Sequence, residues 1–272
     1  MGERDYDLLE LSGLSSYLTA DHLARSGLFP NPDRARRRAR ALFDAELLNV
    51  TLVGSARASL YSLSRKGLAL LARERPGVAA SLHLPGPVRL SAVPHRLAIV
   101  DARLFCSALG QLRGSPLARY ASGGGEWARS LGLPDLGVAP DALAEFTTPD
   151  GPVVIAIEVD CGTESLPVIK AKMTRVAPAA TDGRLDALWY VADAGPARAA
   201  GIERVVADAG LDLWARVLPL AFVNERPVRD LPERAGGGGS GRRPENASPT
   251  RAQNGLESSE SVIETRPRWG QR

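Results

Sequence analysis

Lysine is almost missing from this chain: Lys66, Lys170 and Lys172 are the only three, and arginine supplies the rest of the 34 basic residues. Such a bias, beside abundant Ala, Gly and Pro, is what a GC-rich coding sequence produces, so no function follows from it. Cysteine is nearly as scarce. Cys106 and Cys161 form no CxxC and have no His/Cys cluster around them, which excludes a disulfide scaffold and argues against zinc. The three histidines, His22, His83 and His95, show no metal-ligand spacing, and His95 reads as a helix-start residue. No apolar run approaches the roughly 18 residues that would span a bilayer. The charged opening MGERDYDLLEL is unlike a secretory signal, so a cytoplasmic protein is expected.

What is present is an ordinary globular composition, 44% hydrophobic and 24% charged, over 272 residues. That length suits one large domain or two small ones. Net charge is only +3, so the placement of charge matters more than its sum. Prolines 76, 85, 87 and 94 mark a linker over 76–94, separating a unit at 1–75 from one at 95–231. From 232 to 272 the chain is rich in Gly, Ser, Pro and Arg, and a disordered tail is expected, with Trp269 incidental.

In the first unit, Thr19 caps a short helix. Asn31 and Pro32 start a second, whose Ala35, Ala39, Leu42, Phe43 and Leu47 share one face. Arg34, Arg37 and Arg40 lie opposite, in a run of five arginines over 34–40 that includes Arg38 and contains no acid. Strand, turn at Gly54–Arg57, strand and helix follow. This order is that of a winged helix-turn-helix, with the arginine-faced helix in the major groove of double-stranded DNA and Arg57 at the hairpin tip reaching a phosphate. The plain alternative is a solvated charged face.

In the second unit, "TPDG" (148–151) is a hairpin turn. Centred there, residues whose numbers sum to 299 face each other, so Asp141 opposes Glu158. Alternation puts Glu158 and Asp160 on one face. Three carboxylates, Asp141, Glu158 and Asp160, are expected to converge and to hold Mg²⁺ or Mn²⁺. A helix over 163–176, capped by Thr163, carries Lys172 and Lys170 as candidates for transition-state charge. "EWARSL" (126–131) reads as a strand, with Glu126 a further acid. "HRLAIVDARLFCSALG" and "PARAAGIERVVADAG" read as helices, and "DALWYVAD" and "LWARVLPL" as strands.

"HRLAIVDARL", Pro140-Asp141-Ala142, Glu158-Val159-Asp160, Gly162-Thr163-Glu164-Ser165 and Lys172, in that order, resemble the PD-(D/E)XK nucleases and, more narrowly, the replication-relaxation family of plasmids and mobile elements. The resemblance covers about 15–220. It implies an α+β chain: a winged helix followed by a restriction-endonuclease-like mixed-sheet domain. It also implies metal-dependent nicking by Asp141, Glu158, Asp160 and Lys172, with DNA, a relaxase or replication initiator, and a second copy of the chain as partners. Asp160 stands where active nucleases of the wider group carry lysine. This keeps open a non-catalytic role, as an accessory factor or a transcriptional regulator.

Overall fold

The computed structural model describes residues 1–54, 58–79, 81–82, 84–123 and 125–225. Arg57, His83 and the expected tail at 232–272 lie outside them. Helix α1 (Glu3–Leu14) opens the chain, and α2 (Ala20–Arg25) begins where the Thr19 hydroxyl accepts the His22 N–H. Helix α3 (Pro32–Asp44) is capped as its sequence indicates, the Asn31 side chain accepting the Arg34 N–H at 3.0 Å. Its Ala35, Ala39 and Leu42 are buried. Phe43 instead stays 36% exposed, with the Arg40 guanidinium 5.2 Å from its ring centre.

Strands β1 (Leu48–Val53) and β2 (Ala58–Leu63) form an antiparallel hairpin, and Leu18 pairs with Tyr61 through two backbone hydrogen bonds of 2.8 Å. Helix α4 (Arg65–Glu74) follows, capped by Ser64, and then the single turn α5 (Pro76–Ala79). Leu8, Leu9, Leu18, Leu23, Leu63 and Leu71 are fully buried between these elements. Each contributes roughly 2 kcal/mol of apolar burial. The segment read as a linker is pinned to this core: Leu82 is buried, and the Tyr17 hydroxyl donates to the Gly86 carbonyl.

Helix α6 (Val93–Leu112) serves two cores. Val100 and Leu104 join the N-terminal one, while Ile99, Phe105, Cys106 and Leu109 pack beneath a sheet. The sheet order is β3 (Leu117–Ser122), β4 (Ala142–Thr148), β5 (Gly151–Asp160), β6 (Ala187–Ala192) and β7 (Ala215–Pro219). The first three strands are antiparallel and the last three parallel. Helices α7 (Gly125–Ser130), α8 (Leu166–Thr181) and α9 (Pro196–Asp208) cover one face. Helices α6 and α10 (Leu220–Glu225) cover the other. β5 is therefore buried on both sides, as its apolar run requires.

Three expectations are corrected. "EWARSL" is helical, burying Trp127 and Ala128, and the edge strand lies earlier, at Leu117–Ser122. The helix after β5 starts at Leu166 with Ser165 as its flanking residue, so Thr163 caps nothing. It also continues through Pro178 to Thr181. The chain breaks at Gly162, whose φ is +78 and whose added Cβ would meet the Ala194 methyl at 2.9 Å. Gly162→Ala should cost about 1–3 kcal/mol, read from urea unfolding; a change under about 0.5 kcal/mol would contradict the strained turn.

Candidate active site

The hairpin register is the one expected, Ala142 opposite Ile157 through to Thr148 opposite Gly151, all summing to 299. Asp141 lies one residue before β4 and extends that ladder through its side chain: Oδ2 accepts the Val159 N–H at 2.8 Å. Its Oδ1 accepts from or pairs with His95 Nε2 at 2.9 Å. Glu158 is buried near the end of β5. Lys172 reaches across from α8, with Nζ 2.6 Å from Glu164 Oε1 and 3.8 Å from Glu158 Oε2. Asp141, Glu158 and Lys172 are thus brought together from three elements.

Burial chiefly, and then the charge of Asp141, push the Glu158 carboxyl up to about 8, with Lys172 opposing. Burial pulls the Lys172 ammonium down, but Glu164, Glu158 and Asp141 outweigh it and hold its pKa above the ordinary value. The bond to Asp141 raises His95 against the opposing effect of burial. On β6, directly opposite Glu158, the buried Tyr190 hydroxyl has no hydrogen-bond partner among the described residues. Burial and the neighbouring carboxylates keep it protonated well beyond the usual phenol range.

Asp160 does not join this group. It shares a face with Glu158, but its carboxylate is taken by Arg198 of α9 in a two-pronged pair, at 2.7 and 3.0 Å, and Arg198 also donates to the Glu164 carbonyl. The expected three-carboxylate convergence is therefore a pair, Asp141 with Glu158. Among the described residues no group of three or more His, Cys, Asp or Glu is set to hold a metal ion. Lys170 turns away, 3.8 Å from Asp208. Glu126 is exposed on α7, and none of the site's ion pairs reaches it.

Two of these partners, His95 and Arg198, were not expected, yet each leaves a trace in the sequence. Both occupy the third position of a helix, where a cation faces the positive end of the macrodipole. A basic residue there needs an acidic partner from elsewhere. Tyr190 leaves no such trace, because its place beside Glu158 follows from parallel pairing across α8.

The arginine face of α3 is also less free than its sequence implies. Arg38 forms a two-pronged pair with buried Asp5 of α1, so it is a structural residue. Arg36 pairs with Asp33, and Arg40 with Asp44. Arg34 and Arg37 remain exposed and have no ion pair among the described residues. No helix among those residues is long and apolar enough to cross a membrane.

No match is found among curated proteins or among solved structures. A family model, described as replication-relaxation, matches residues 14–183, which takes in α2 to α8, the hairpin, Asp141, Glu158 and Lys172. The chain belongs to the replication-relaxation family.

Proposed function

We propose that this protein binds the DNA of a plasmid or mobile element and nicks it in replication or relaxation, the process that its family membership suggests. The observation that carries the catalytic part is the meeting of Asp141, the buried Glu158 carboxyl and Lys172 beside a Tyr190 hydroxyl that has no hydrogen-bond partner among the described residues. A buried acid beside a second acid, with an orphan hydroxyl close by, is a donor set short of a ligand. Mg²⁺ or Mn²⁺ suits it, since Mg²⁺ commonly takes one or two carboxylates and completes its shell with water and phosphate oxygens. Asp141 and Glu158 would hold the ion, which when bound supplies hydroxide and stabilises the departing oxygen.

The chain's own residues do the rest. Val159 N–H and His95 fix the two oxygens of Asp141. Glu164 steadies Lys172, whose ammonium offers positive charge to a phosphodiester oxygen. Tyr190 offers a hydroxyl to the same ligand. The test is nicking of supercoiled plasmid with Mg²⁺ or Mn²⁺ and with chelator. Metal-dependent nicking is expected in the wild type and its loss in Asp141→Ala/Glu158→Ala. A protein that shifts DNA on a gel but never nicks would reject cleavage. That outcome would favour the second reading, a binding module, which the sealing of Asp160 under Arg198 at the usual lysine position supports.

For the N-terminal unit we read a winged helix: α1, the short Leu18 strand, α2, α3 and the β1–β2 wing follow that order. Arg34 and Arg37 are the arginines of α3 that are exposed and have no ion pair among the described residues. Arg34→Ala and Arg37→Ala should each weaken DNA binding and lower the slope of log affinity against log salt by about 0.9. Arg38→Ala should lower the unfolding midpoint, because it strips Asp5 of its partner. Unchanged salt slopes in both of the first two variants would remove α3 from the interface.

A further inference from the structure

A cleft of about 320 Å³ opens between α1, the end of α2 and α6, on the seam of the two cores. None of Asp141, Glu158, Lys172 or His95 lines it. Leu11, Leu14, Leu28 and Leu104 give it apolar walls, and Ser107 and Gln111 supply hydrogen-bonding groups. Arg103 of α6 lines it too, lying over the Tyr120 ring at 5.4 Å. Its Nη1 is buried with no hydrogen-bond partner among the described residues. The other charges at the cleft have ion-pair partners, and the charge of Glu10 also favours the charged form of Arg103. Arg25 pairs with Asp101, and Asp7 and Glu10 pair with Arg75.

A guanidinium nitrogen sealed from water without an acceptor is costly, because its desolvation is not offset by a hydrogen bond. Burial draws the Arg103 pKa below its ordinary value, which is the same penalty seen from the proton's side. Such a group calls for an anion. The leucine walls call for an apolar body attached to it, and the volume falls at the small end of ligand pockets.

We infer that the cleft between α1, α2 and α6 binds a small organic carboxylate, with the carboxylate on Arg103 and the apolar body against the leucines. Because α6 belongs to both cores, a ligand there would tie the N-terminal helices to the sheet domain. Asp7 and Glu10, though paired, line the same cleft and repel further negative charge, so a monocarboxylate fits better than a multiply charged phosphate.

The experiment is thermal unfolding of the full chain with sodium hexanoate, with 1-hexanol as the neutral counterpart, with inorganic phosphate, and with sodium chloride at matched ionic strength. Hexanoate should raise the midpoint by several degrees with a saturating dose dependence, and hexanol and chloride should not. Arg103→Met should abolish that response while leaving the ligand-free midpoint unchanged or higher, since it removes a charged group whose Nη1 is buried without a hydrogen-bond partner among the described residues. Ala108→Phe, which narrows the cleft and keeps Arg103, should also abolish it. No hexanoate response in the wild type, or an equal response in Arg103→Met, would overturn the site. A response to phosphate alone would overturn the organic-carboxylate class. A lower ligand-free midpoint in Arg103→Met would assign Arg103 to packing on Tyr120 and overturn it as well.

Discussion

Arg198→Ala should lower the unfolding free energy by about 3–5 kcal/mol, the usual cost of leaving one member of a buried ion pair alone. Asp160 is almost fully buried and its side chain is 2% exposed, while Arg198 is 17% exposed. Among the described residues, Arg198 alone hydrogen-bonds this carboxylate. The truncation also frees the Glu164 carbonyl, and with it the turn from Gly162 to Ser165 that carries the Glu164–Lys172 pair. Two effects are thus expected from one substitution: lost stability, and a looser Lys172. Arg198→Lys should recover only part, because an ammonium cannot make the two parallel bonds. Asp160→Asn/Arg198→Met should recover most of the stability, since neither charge is then stranded. Urea denaturation of the four proteins measures this. A loss below about 0.5 kcal/mol in Arg198→Ala would mean that Asp160 finds water or another donor.

The elements were largely legible because their signals are local. Asn31-Pro32 starts α3, "TPDG" sets the β4–β5 register to the residue, and the apolar run of β5 foretells a strand covered on both faces. The failures come from packing that local signals do not report. "EWARSL" is short enough for either period, and its helix is chosen by the Trp127 pocket rather than by spacing. The site was half legible. Asp141 and Glu158 follow from the hairpin register, and Lys172 from the following helix. The fate of Asp160 was hidden, because Arg198 comes from a helix 38 residues further on. The same holds for Arg38, which looks like part of a DNA-facing row until α1 brings Asp5 beneath it, 33 residues away in sequence. Charge runs report which residues are ionised. Which of them are already spent depends on long-range packing.

The largest pH effect should come from Glu158. Its carboxyl titrates near 8 in the folded protein, raised by burial and by Asp141, against 4.5 as the ordinary value. Between those values the folded state keeps a proton that the unfolded state has released, so stability falls as pH rises. The contribution is fully present below 4.5 and is lost as pH passes through 8. About 5 kcal/mol should disappear across the window, and Glu158→Gln should flatten the profile there. His95, also raised, adds a loss of the same sign at higher pH, above its ordinary 6.5, and His95→Gln removes only that part. A divalent cation reverses the argument. It favours the charged carboxylate, so Mg²⁺ should flatten the wild-type profile and stabilise the protein most near pH 8. Glu158→Gln should show no such gain. A wild-type profile that Mg²⁺ and Mn²⁺ leave unchanged would remove the metal from Asp141 and Glu158 whatever the plasmid assay gives. The buried acid would then be a neutral hydrogen-bonding group opposite Tyr190.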